Sequence, residues 1–145
     1  MRTPLPSPVD VAPPEGWRKC DLHDPFEAHL GPFFERMDET GERIFGFIAD
    51  KRHANADGEV HEGMMLTFAD AFLGGAANRA LVGKSCVTLS MQGSFLAPAR
   101  LGDFIECRTR LERKTRAILF VSGRFSVGAE DVMTVTSLWK VLGER

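Results

Sequence analysis

The clearest pattern of apolar and polar positions lies in the middle of the chain. Residues 64–81 contain no proline, and an apolar residue recurs there at every fourth position: Met64, Phe68, Phe72 and Ala76. This spacing predicts an α-helix. Because apolar residues also occupy most of its other positions, we expect the helix to be largely buried.

Strand-like segments flank this predicted helix. One precedes it, at residues 43–49, and four follow it, at residues 85–96, 103–112, 116–127 and 132–142. The turns between the last four are short enough to join antiparallel neighbours. The order predicts an α+β fold in which a curved antiparallel sheet wraps one long central helix.

The first part of the chain shows neither the helical nor the strand-like spacing of apolar residues. Residues 1–16 are rich in proline, which fixes φ and removes backbone donors, so we expect an extended arm outside the fold. Residues 17–145 are then a single domain, since the chain is too short for two. Asp24 before Pro25 and Gly31 before Pro32 each predict the start of a short helix.

Composition and charge narrow the functional classes. A net charge of -2 supplies no basic face for nucleic acid. No apolar stretch reaches the roughly 18 residues that a membrane helix needs, and the early prolines interrupt any signal-peptide core. Cys20, Cys86 and Cys107 have neither the number nor the spacing of a disulfide framework or a zinc site. We therefore expect a cytoplasmic protein with no resident metal and no membrane or nucleic-acid partner.

Several polar residues that could take part in catalysis lie where the loop at 53–63 meets the predicted helix. A helix N-terminus leaves backbone N–H groups unpaired, and these attract a carbonyl oxygen or a developing oxyanion. Glu62 and Gly63 lie at that position, and His61 and Asn55 precede them. Taken singly, His61 and Asn55 also suit ordinary loop roles, because Asn beside Asp-Gly is common in turns.

Asp70 lies two turns into the same helix among apolar neighbours. An ionised carboxylate is costly to bury without partners, so Asp70 must be paired or must face a cleft. A carboxylate in a cleft can activate water or attack a carbonyl itself. An ordinary carboxylate that points to solvent is the alternative.

The combined pattern H-x-N-x-x-G-x-x-H-x-G, followed by an apolar helix with an aspartate, resembles the motif of hotdog-fold acyl-CoA thioesterases of the phenylacetic acid degradation type. The matching residues, in order, are His53, Asn55, Gly58, His61, Gly63 and Asp70. The resemblance covers roughly residues 43–142. It implies a hotdog fold and hydrolysis of an acyl-CoA thioester.

The resemblance also implies a role for each site residue. Asp70 would be the general base or the nucleophile, and Asn55 would position the water or the thioester. His61 would orient Asn55 or the loop through a hydrogen bond. The Glu62 backbone N–H would polarise the thioester carbonyl, and Thr88 would support the attacking water.

One position departs from the family motif. The family's His-Gly-Gly is His61-Glu62-Gly63 here, so a side chain stands beside the expected thioester. Gly63 is still expected to contact the substrate. If the family glycine serves a positive φ, glutamate would cost about 1 kcal/mol in that conformation. Glu62 also becomes a competitor of Asp70 as the working carboxylate, with Glu59 more remote.

A basic turn follows later in the chain, at Arg113, Lys114 and Arg116. Arg and Lys suit phosphate by charge and donor geometry, so this turn is a candidate contact for the phosphates of coenzyme A. An ordinary solvated hairpin turn is the alternative.

The resemblance further implies an assembly and leaves other functions open. In the family the helix carboxylate comes from one subunit and the His-Asn loop from another, which implies a homodimer or a dimer of dimers. Coenzyme A would enter only as part of the substrate, without a separate cofactor. The alternatives are an enoyl-CoA hydratase or dehydratase of the same fold and a non-catalytic acyl-CoA-binding module, the latter if Glu62 blocks the carbonyl pocket.

Overall fold

The strands of the chain form one antiparallel sheet around a single long helix. The computed structural model describes residues 2–144; Met1 and Arg145, the outer ends of the predicted arm and domain, lie outside the described residues. The elements, in chain order, are β1 (Arg18–Lys19), α1 (Pro25–Leu30), β2 (Phe34–Met37), β3 (Arg43–Ile48), a 3-10 turn (Lys51–His53), α2 (Glu62–Arg79), β4 (Lys84–Phe95), β5 (Phe104–Lys114), β6 (Ile118–Val127) and β7 (Glu130–Glu144). The strand order across the sheet is β1-β2-β3-β5-β6-β7-β4.

The inner face of the sheet curves around α2. The helix contacts β4, β5, β6 and β7. The apolar residues that it buries recur along its length: Met64, Met65, Phe68, Ala69, Phe72, Leu73 and Ala77. Burial of so much apolar surface is the main stabilising contribution to the fold. The predicted α+β architecture, with a long buried helix wrapped by a curved antiparallel sheet, is confirmed.

Two glycines let the helix and the sheet approach each other closely. A Cβ on Gly74 of α2 would lie 2.9 Å from Cη2 of Trp139 in β7, and one on Gly123 of β6 would lie 2.8 Å from Cδ1 of Leu73. The Trp139 ring is held by a hydrogen bond from its Nε1 to Ser137 Oγ, 2.8 Å away. At each of these points a glycine of one element makes room for a large side chain of the other, so the far half of α2 packs closely against the sheet.

Aromatic rings fill the space between the first half of α2 and the neighbouring strands. Phe33, Phe47 and Phe68 are fully buried, and Phe33 lies 5.7 Å from Phe68 and 5.2 Å from Phe72 between ring centroids. Such edge and offset contacts are favourable beyond the area they bury. These phenylalanines belong to the core.

One of the two predicted helix starts is wrong. Asp24 caps α1 as expected, with Pro25 at its first turn. After Pro32, however, the chain enters β2, whose residues pair antiparallel with β3 from Phe34–Gly46 to Met37–Arg43. Phe33 and Phe34 are both fully buried. Phe33 packs against Phe68 and Phe72 of α2, whereas Phe34 lies near Phe104, as expected where consecutive side chains of an extended chain point in opposite directions. Pro32 precedes the paired residues of β2, so its missing N–H removes no bond from the strand pairing.

The proline-rich arm contacts the folded part of the chain. The Leu5 N–H donates to Leu22 O at 2.8 Å, and the Ser7 hydroxyl donates to Gly31 O at 2.7 Å. Residues 2–14 of the described chain form no helix or strand. No helix within residues 2–144 is long and apolar enough to cross a membrane.

Candidate active site

The Asp70 carboxylate has one defined partner on the sheet. Asp70 lies on α2 with its side chain exposed, and Thr88 Oγ1 of β4 donates a hydrogen bond to Asp70 Oδ1 at 2.6 Å. A hydroxyl bonded to an ionised carboxylate makes a short, strong hydrogen bond. The pair fixes the direction of one carboxylate oxygen and leaves the other, Oδ2, available for chemistry.

An irregularity in β4 accompanies this contact. The pairing of β4 with β7 is regular from Cys86 to Thr88, opposite Trp139, and then shifts so that Ser90 faces Leu138. Leu89 is the extra residue. A bulge of this kind bends the strand and redirects side chains, and bulges are common beside active sites. Here it occurs directly after the residue that holds Asp70.

The Asn55 loop is shaped by the asparagine itself. Asn55 Oδ1 accepts hydrogen bonds from the backbone N–H groups of Asp57 at 2.9 Å and Glu59 at 3.0 Å. Gly58 takes a φ of 75° in this turn, which a glycine adopts without a steric cost. Within the described residues the Asn55 side-chain amide nitrogen has no hydrogen-bond partner, so its two N–H donors are available to a ligand.

The start of α2 is capped by His61. Its Nδ1 accepts a hydrogen bond from the Gly63 N–H at 2.8 Å, so His61 orients the helix start, whereas Asn55 is held by its own loop. A Cβ on Gly63 would lie 3.0 Å from His61 Nδ1, which explains why glycine suits this position. With the Gly63 N–H engaged, the Glu62 N–H is the one left open at this helix start within the described chain.

The glutamate that replaces the family glycine takes an ordinary helical conformation. Glu62 is the first residue of α2, and within the described residues only glycines have a positive φ. Glu62 therefore does not incur the free-energy cost of a positive φ. The backbone N–H at this position is kept, and the side chain is exposed.

A pocket of about 410 Å³ joins the Asn55 loop to the helix start. Asn55, Glu59 and Glu62 line one side, and Phe95 and Leu96 at the end of β4 line the other. The pocket thus combines open N–H donors, two carboxylates and exposed apolar surface. This is the usual composition of a site that binds an amphipathic small molecule.

The two groups of candidate residues are separated within one chain. Asp70 follows Glu62 by eight positions in α2, which places it about 12 Å further along the helix axis. Neither Asp70 nor Thr88 lines the pocket that contains Asn55 and Glu62. The chain brings Asp70 to Thr88, and it brings Asn55 to Glu62, but it does not bring these two pairs together.

Behind the loop, His53 ties the site to α1. Its ring donates from Nε2 to Leu30 O at 2.7 Å and accepts at Nδ1 from the Asp50 N–H at 3.0 Å. The His53 carbonyl accepts from the His61 N–H at 2.7 Å. Burial lowers the pKa of His53, so it is neutral and structural.

The basic turn lies at the other end of α2. Lys114 Nζ donates to Ala80 O at 2.7 Å, next to the helix C-terminus, where a cation is favourable. Arg113 and Arg116 are exposed nearby. Because the 18 residues of α2 span about 27 Å, this turn is remote from the pocket of the same chain. Its role with coenzyme A phosphates remains a prediction.

One charged neighbour of Asp70 was missed in the sequence. Glu27 of α1 lines a second pocket together with Ala71, Phe72 and Gly75 of α2. Burial, and then the charges of Asp24 and Asp70, raise the pKa of Glu27 to about 7. No local pattern around Glu27 signals this contact, because it depends on how α1 packs against α2.

A long helix buried in a curved antiparallel sheet, together with the His-Asn loop and the helix aspartate, defines a hotdog-fold thioesterase. The chain belongs to the thioesterase superfamily, whose family model matches residues 57–133, and it is therefore a thioester hydrolase. The predicted resemblance and the hotdog fold are confirmed.

Individual relatives agree with this assignment. A Pseudomonas aeruginosa protein with a provisional esterase name is 31% identical over 127 residues, which cover 87% of this chain and 95% of that protein. A phenylacetic acid degradation-related protein of Ralstonia eutropha, provisionally described as a thioesterase, is 28% identical with a TM-score of 0.72; the match covers 83% of this chain and 92% of that one. A Bacillus halodurans protein solved with CoA is 23% identical with a TM-score of 0.70, over 77% of this chain and 74% of that one.

Proposed function

We propose that this protein hydrolyses acyl-CoA thioesters at a site shared by two copies of the chain, with Asp70 as the working carboxylate. The observation that carries the proposal is the division of the site into two halves. One half is Asp70 with its Thr88 hydrogen bond, and the other is the pocket of Asn55 and Glu62. The first half supplies a carboxylate to activate water, and the second supplies N–H donors for the thioester carbonyl.

The second half is suited to bind and polarise the thioester. The open Glu62 N–H at the start of α2 and the side-chain amide of Asn55 are donors for the carbonyl oxygen. As the carbonyl carbon becomes tetrahedral, negative charge develops on that oxygen, and fixed donors at a helix N-terminus stabilise it. Phe95 and Leu96 provide apolar surface beside it.

The first half is suited to supply the attack. With Oδ1 held by Thr88, Asp70 Oδ2 can take a proton from a water that attacks the carbonyl carbon. The tetrahedral intermediate then breaks its carbon–sulfur bond, and the proton passes to the departing thiolate. Direct attack by Asp70 would form an anhydride that water opens to the same products. Both routes yield a free acid and a free thiol.

The free edge of the sheet is the surface that we assign to the second copy. β4 has only β7 as a neighbour within the described residues, and it exposes Val87 and Leu89, which are 47% and 51% accessible. An exposed apolar edge strand readily pairs with another chain. Because Thr88 lies between these residues, pairing at this edge brings a partner close to Asp70.

We propose coenzyme A as the thiol part of the substrate, on the basis of a related protein and of the basic residues of this chain. The Bacillus halodurans relative was solved with CoA, and the basic turn at Arg113, Lys114 and Arg116 offers cations to CoA phosphates. The three cysteines are all free, which is compatible with the cytoplasmic location that we propose.

The test is release of free thiol from short, medium, long and aromatic acyl-CoAs, measured with a disulfide dye. We expect turnover by the wild type and loss of turnover in Asp70→Asn. Activity that survives in Asp70→Asn but disappears in Glu62→Gln would assign the chemistry to Glu62 instead. Hydration of enoyl-CoA without thiol release, or binding without turnover, would contradict the proposed reaction.

A further inference from the structure

Arg52 is a charged residue at the entry to the Asn55 loop that the proposed mechanism does not use. Its guanidinium donates to His29 O at 2.5 Å and to Gly31 O at 2.6 Å. It also donates to Asp50, from Nε to Oδ1 at 3.1 Å and from Nη2 to Oδ2 at 2.9 Å. The Arg52 side chain is only 21% accessible, and hydrogen bonds of a charged group are stronger where water is excluded. We call Arg52 with these three partners the Arg52 clamp.

Two of the acceptors in the Arg52 clamp belong to the end of α1. His29 lies in the last turn of this helix, and Gly31 follows the helix directly. The last carbonyls of a helix have no partner within the helix, and an arginine side chain can supply one. Gly31 O accepts a second hydrogen bond from the Ser7 hydroxyl of the arm at 2.7 Å. Arg52 therefore binds the end of α1 at the point where the arm also contacts the domain.

The third partner, Asp50, ties the clamp to the 3-10 turn that follows it. Asp50 caps this turn, because its Oδ1 accepts from the Arg52 backbone N–H at 2.9 Å. The Asp50 N–H in turn donates to His53 Nδ1 at 3.0 Å. The guanidinium thus binds a carboxylate that already holds the turn, so α1 and the turn are joined through one side chain.

The turn leads directly into the base of the Asn55 loop. The Asn55 N–H donates to Glu59 O at 2.7 Å, and the His61 N–H donates to His53 O at 2.7 Å. These two bonds pair the incoming and outgoing segments of the loop. The outgoing segment continues into α2, whereas the incoming segment is attached to α1 by the Arg52 clamp and by the bond between His53 Nε2 and Leu30 O.

We propose that Arg52 is a positioning residue of the acyl-CoA site, which fixes the Asn55 amide relative to the Glu62 N–H. Its effect on turnover rests on the proposed function, whereas its effect on the loop does not. Arg52 does not line the pocket of Asn55 and Glu62, so it acts through the backbone of the turn. Donors for a developing oxyanion must be held close to their productive geometry, because small displacements cost large factors in rate.

The clamp requires a guanidinium and not only a positive charge. The planar fork of donors on Arg52 reaches two carbonyl oxygens and both oxygens of Asp50 at once. The single ammonium nitrogen of a lysine cannot reproduce this arrangement. Arg52→Lys should therefore lose most of the positioning, although it keeps the charge.

The direct experiment is amide hydrogen exchange, followed by NMR, in the wild type, Arg52→Gln and Arg52→Lys. In both variants we expect exchange of the Asn55 and His61 N–H groups to become about 5-fold faster, a larger change than at the buried amides of α2. Arg108→Gln, which removes an arginine bonded to Glu106 at 3.2 Å on β5, is the matched control and should leave the loop unchanged. A change at Asn55 and His61 that is absent, or no larger than that in α2, would overturn the proposal whether or not the protein hydrolyses acyl-CoA.

The functional experiment is steady-state thiol release, normalised to the folded fraction measured by near-UV circular dichroism. We expect kcat to fall about 5- to 10-fold in Arg52→Gln and Arg52→Lys while KM changes by less than about 2-fold, because the donors act mainly on the transition state. Arg108→Gln should keep both constants. A normalised kcat equal to that of the wild type, or full activity in Arg52→Lys, would contradict the inference.

Discussion

At the scale of single residues, the proposed chemistry centres on how Asp70 is held. Its carboxylate is exposed and is oriented by one hydroxyl, that of Thr88. The sequence singled out this aspartate because an ionised carboxylate among apolar helix residues is costly to bury without a partner. Thr88 followed only from the family resemblance, because a threonine in a strand is ordinary.

Removal of the Thr88 hydroxyl should impair turnover with little effect on the fold. In Thr88→Val we expect kcat to fall about 10-fold, because loss of one hydrogen bond to a charged group costs about 1.5 kcal/mol. Thr88→Ser keeps the hydroxyl and should retain most activity. Steady-state thiol release by the two variants checks this, and equal losses would show that the methyl group matters more than the hydroxyl.

Glu27 should also make folding stability depend on pH. Its pKa is raised from the ordinary value of 4.5 to about 7 in the folded chain, so the folded state binds the proton more tightly than the unfolded state. The stability gained from that proton is complete below pH 4.5 and is lost as the pH rises to about 7.

As the pH is raised from about 4.5 to 8, the free energy of unfolding of Glu27→Gln should therefore increase relative to that of the wild type. The expected change in this difference is about 1 kcal/mol after allowance for solvent screening. Urea unfolding of both proteins at the two pH values measures this difference. Glu39→Gln, at an exposed position in the turn between β2 and β3, is the matched control and should show no such change. A wild-type protein whose stability relative to Glu27→Gln is the same at both pH values would contradict the raised pKa.

At the scale of elements, periodicity predicted the long segments well. The helix predicted at 64–81 is α2 (Glu62–Arg79), and the last four predicted strands are β4 to β7 with small shifts at their ends. These segments are long enough for the period of apolar positions to be visible.

Short elements were not predictable in the same way. β1 has two residues, and β2 follows a Gly-Pro pair that also suits a helix start. Their structure is decided by pairing with strands that are distant in sequence. The contact of Glu27 with the Asp70 region was missed for the same reason.

Two adjacent glycines of α2 should respond differently to alanine. Gly74→Ala places a methyl group 2.9 Å from the fixed Trp139 ring, and overpacking of this kind costs about 1–3 kcal/mol. A Cβ on Gly75 meets only the end of the flexible Arg79 side chain, at 3.2 Å. Because alanine favours a helix, Gly75→Ala should be neutral or more stable by up to about 1 kcal/mol.

Urea unfolding of the two variants provides the comparison. Similar midpoints for Gly74→Ala and Gly75→Ala would show that the sheet can move away from the helix at Trp139. That result would contradict the close packing of α2 against β7.

At the scale of the whole molecule, a single copy keeps the Asp70–Thr88 pair apart from the pocket of Asn55 and Glu62, and within residues 2–144 the outer edge of β4 has no partner strand. The predicted helix already separates Glu62 from Asp70 by eight positions, or about 12 Å along its axis. The sequence could not reveal that Asn55 joins the pocket at the helix start while Thr88 binds Asp70, because both contacts depend on tertiary packing. The implied subunit arrangement came from the resemblance alone.

A charge on the free edge should prevent association. In Leu89→Arg, at a position that is 51% accessible on β4, we expect the assembly to dissociate to the monomer and thiol release to be lost together. Leu111→Arg, at a similarly exposed leucine of β5 (42%), should leave both unchanged. Sedimentation velocity gives the mass, and a monomer that keeps full activity would contradict a shared site.

The central claim, that Asp70 of one copy works with Asn55 of another, is tested most directly by mixing two inactive variants. Asp70→Asn and Asn55→Ala are unfolded and refolded together in equal amounts, and thiol release is compared with each variant alone. A mixed dimer then contains one intact site, so random pairing should restore about a quarter of the wild-type activity. Co-refolding of Asp70→Asn with Asp70→Ala should restore none. If the first mixture also stays inactive while mixed dimers form, each chain carries its own complete site and the proposed arrangement is wrong.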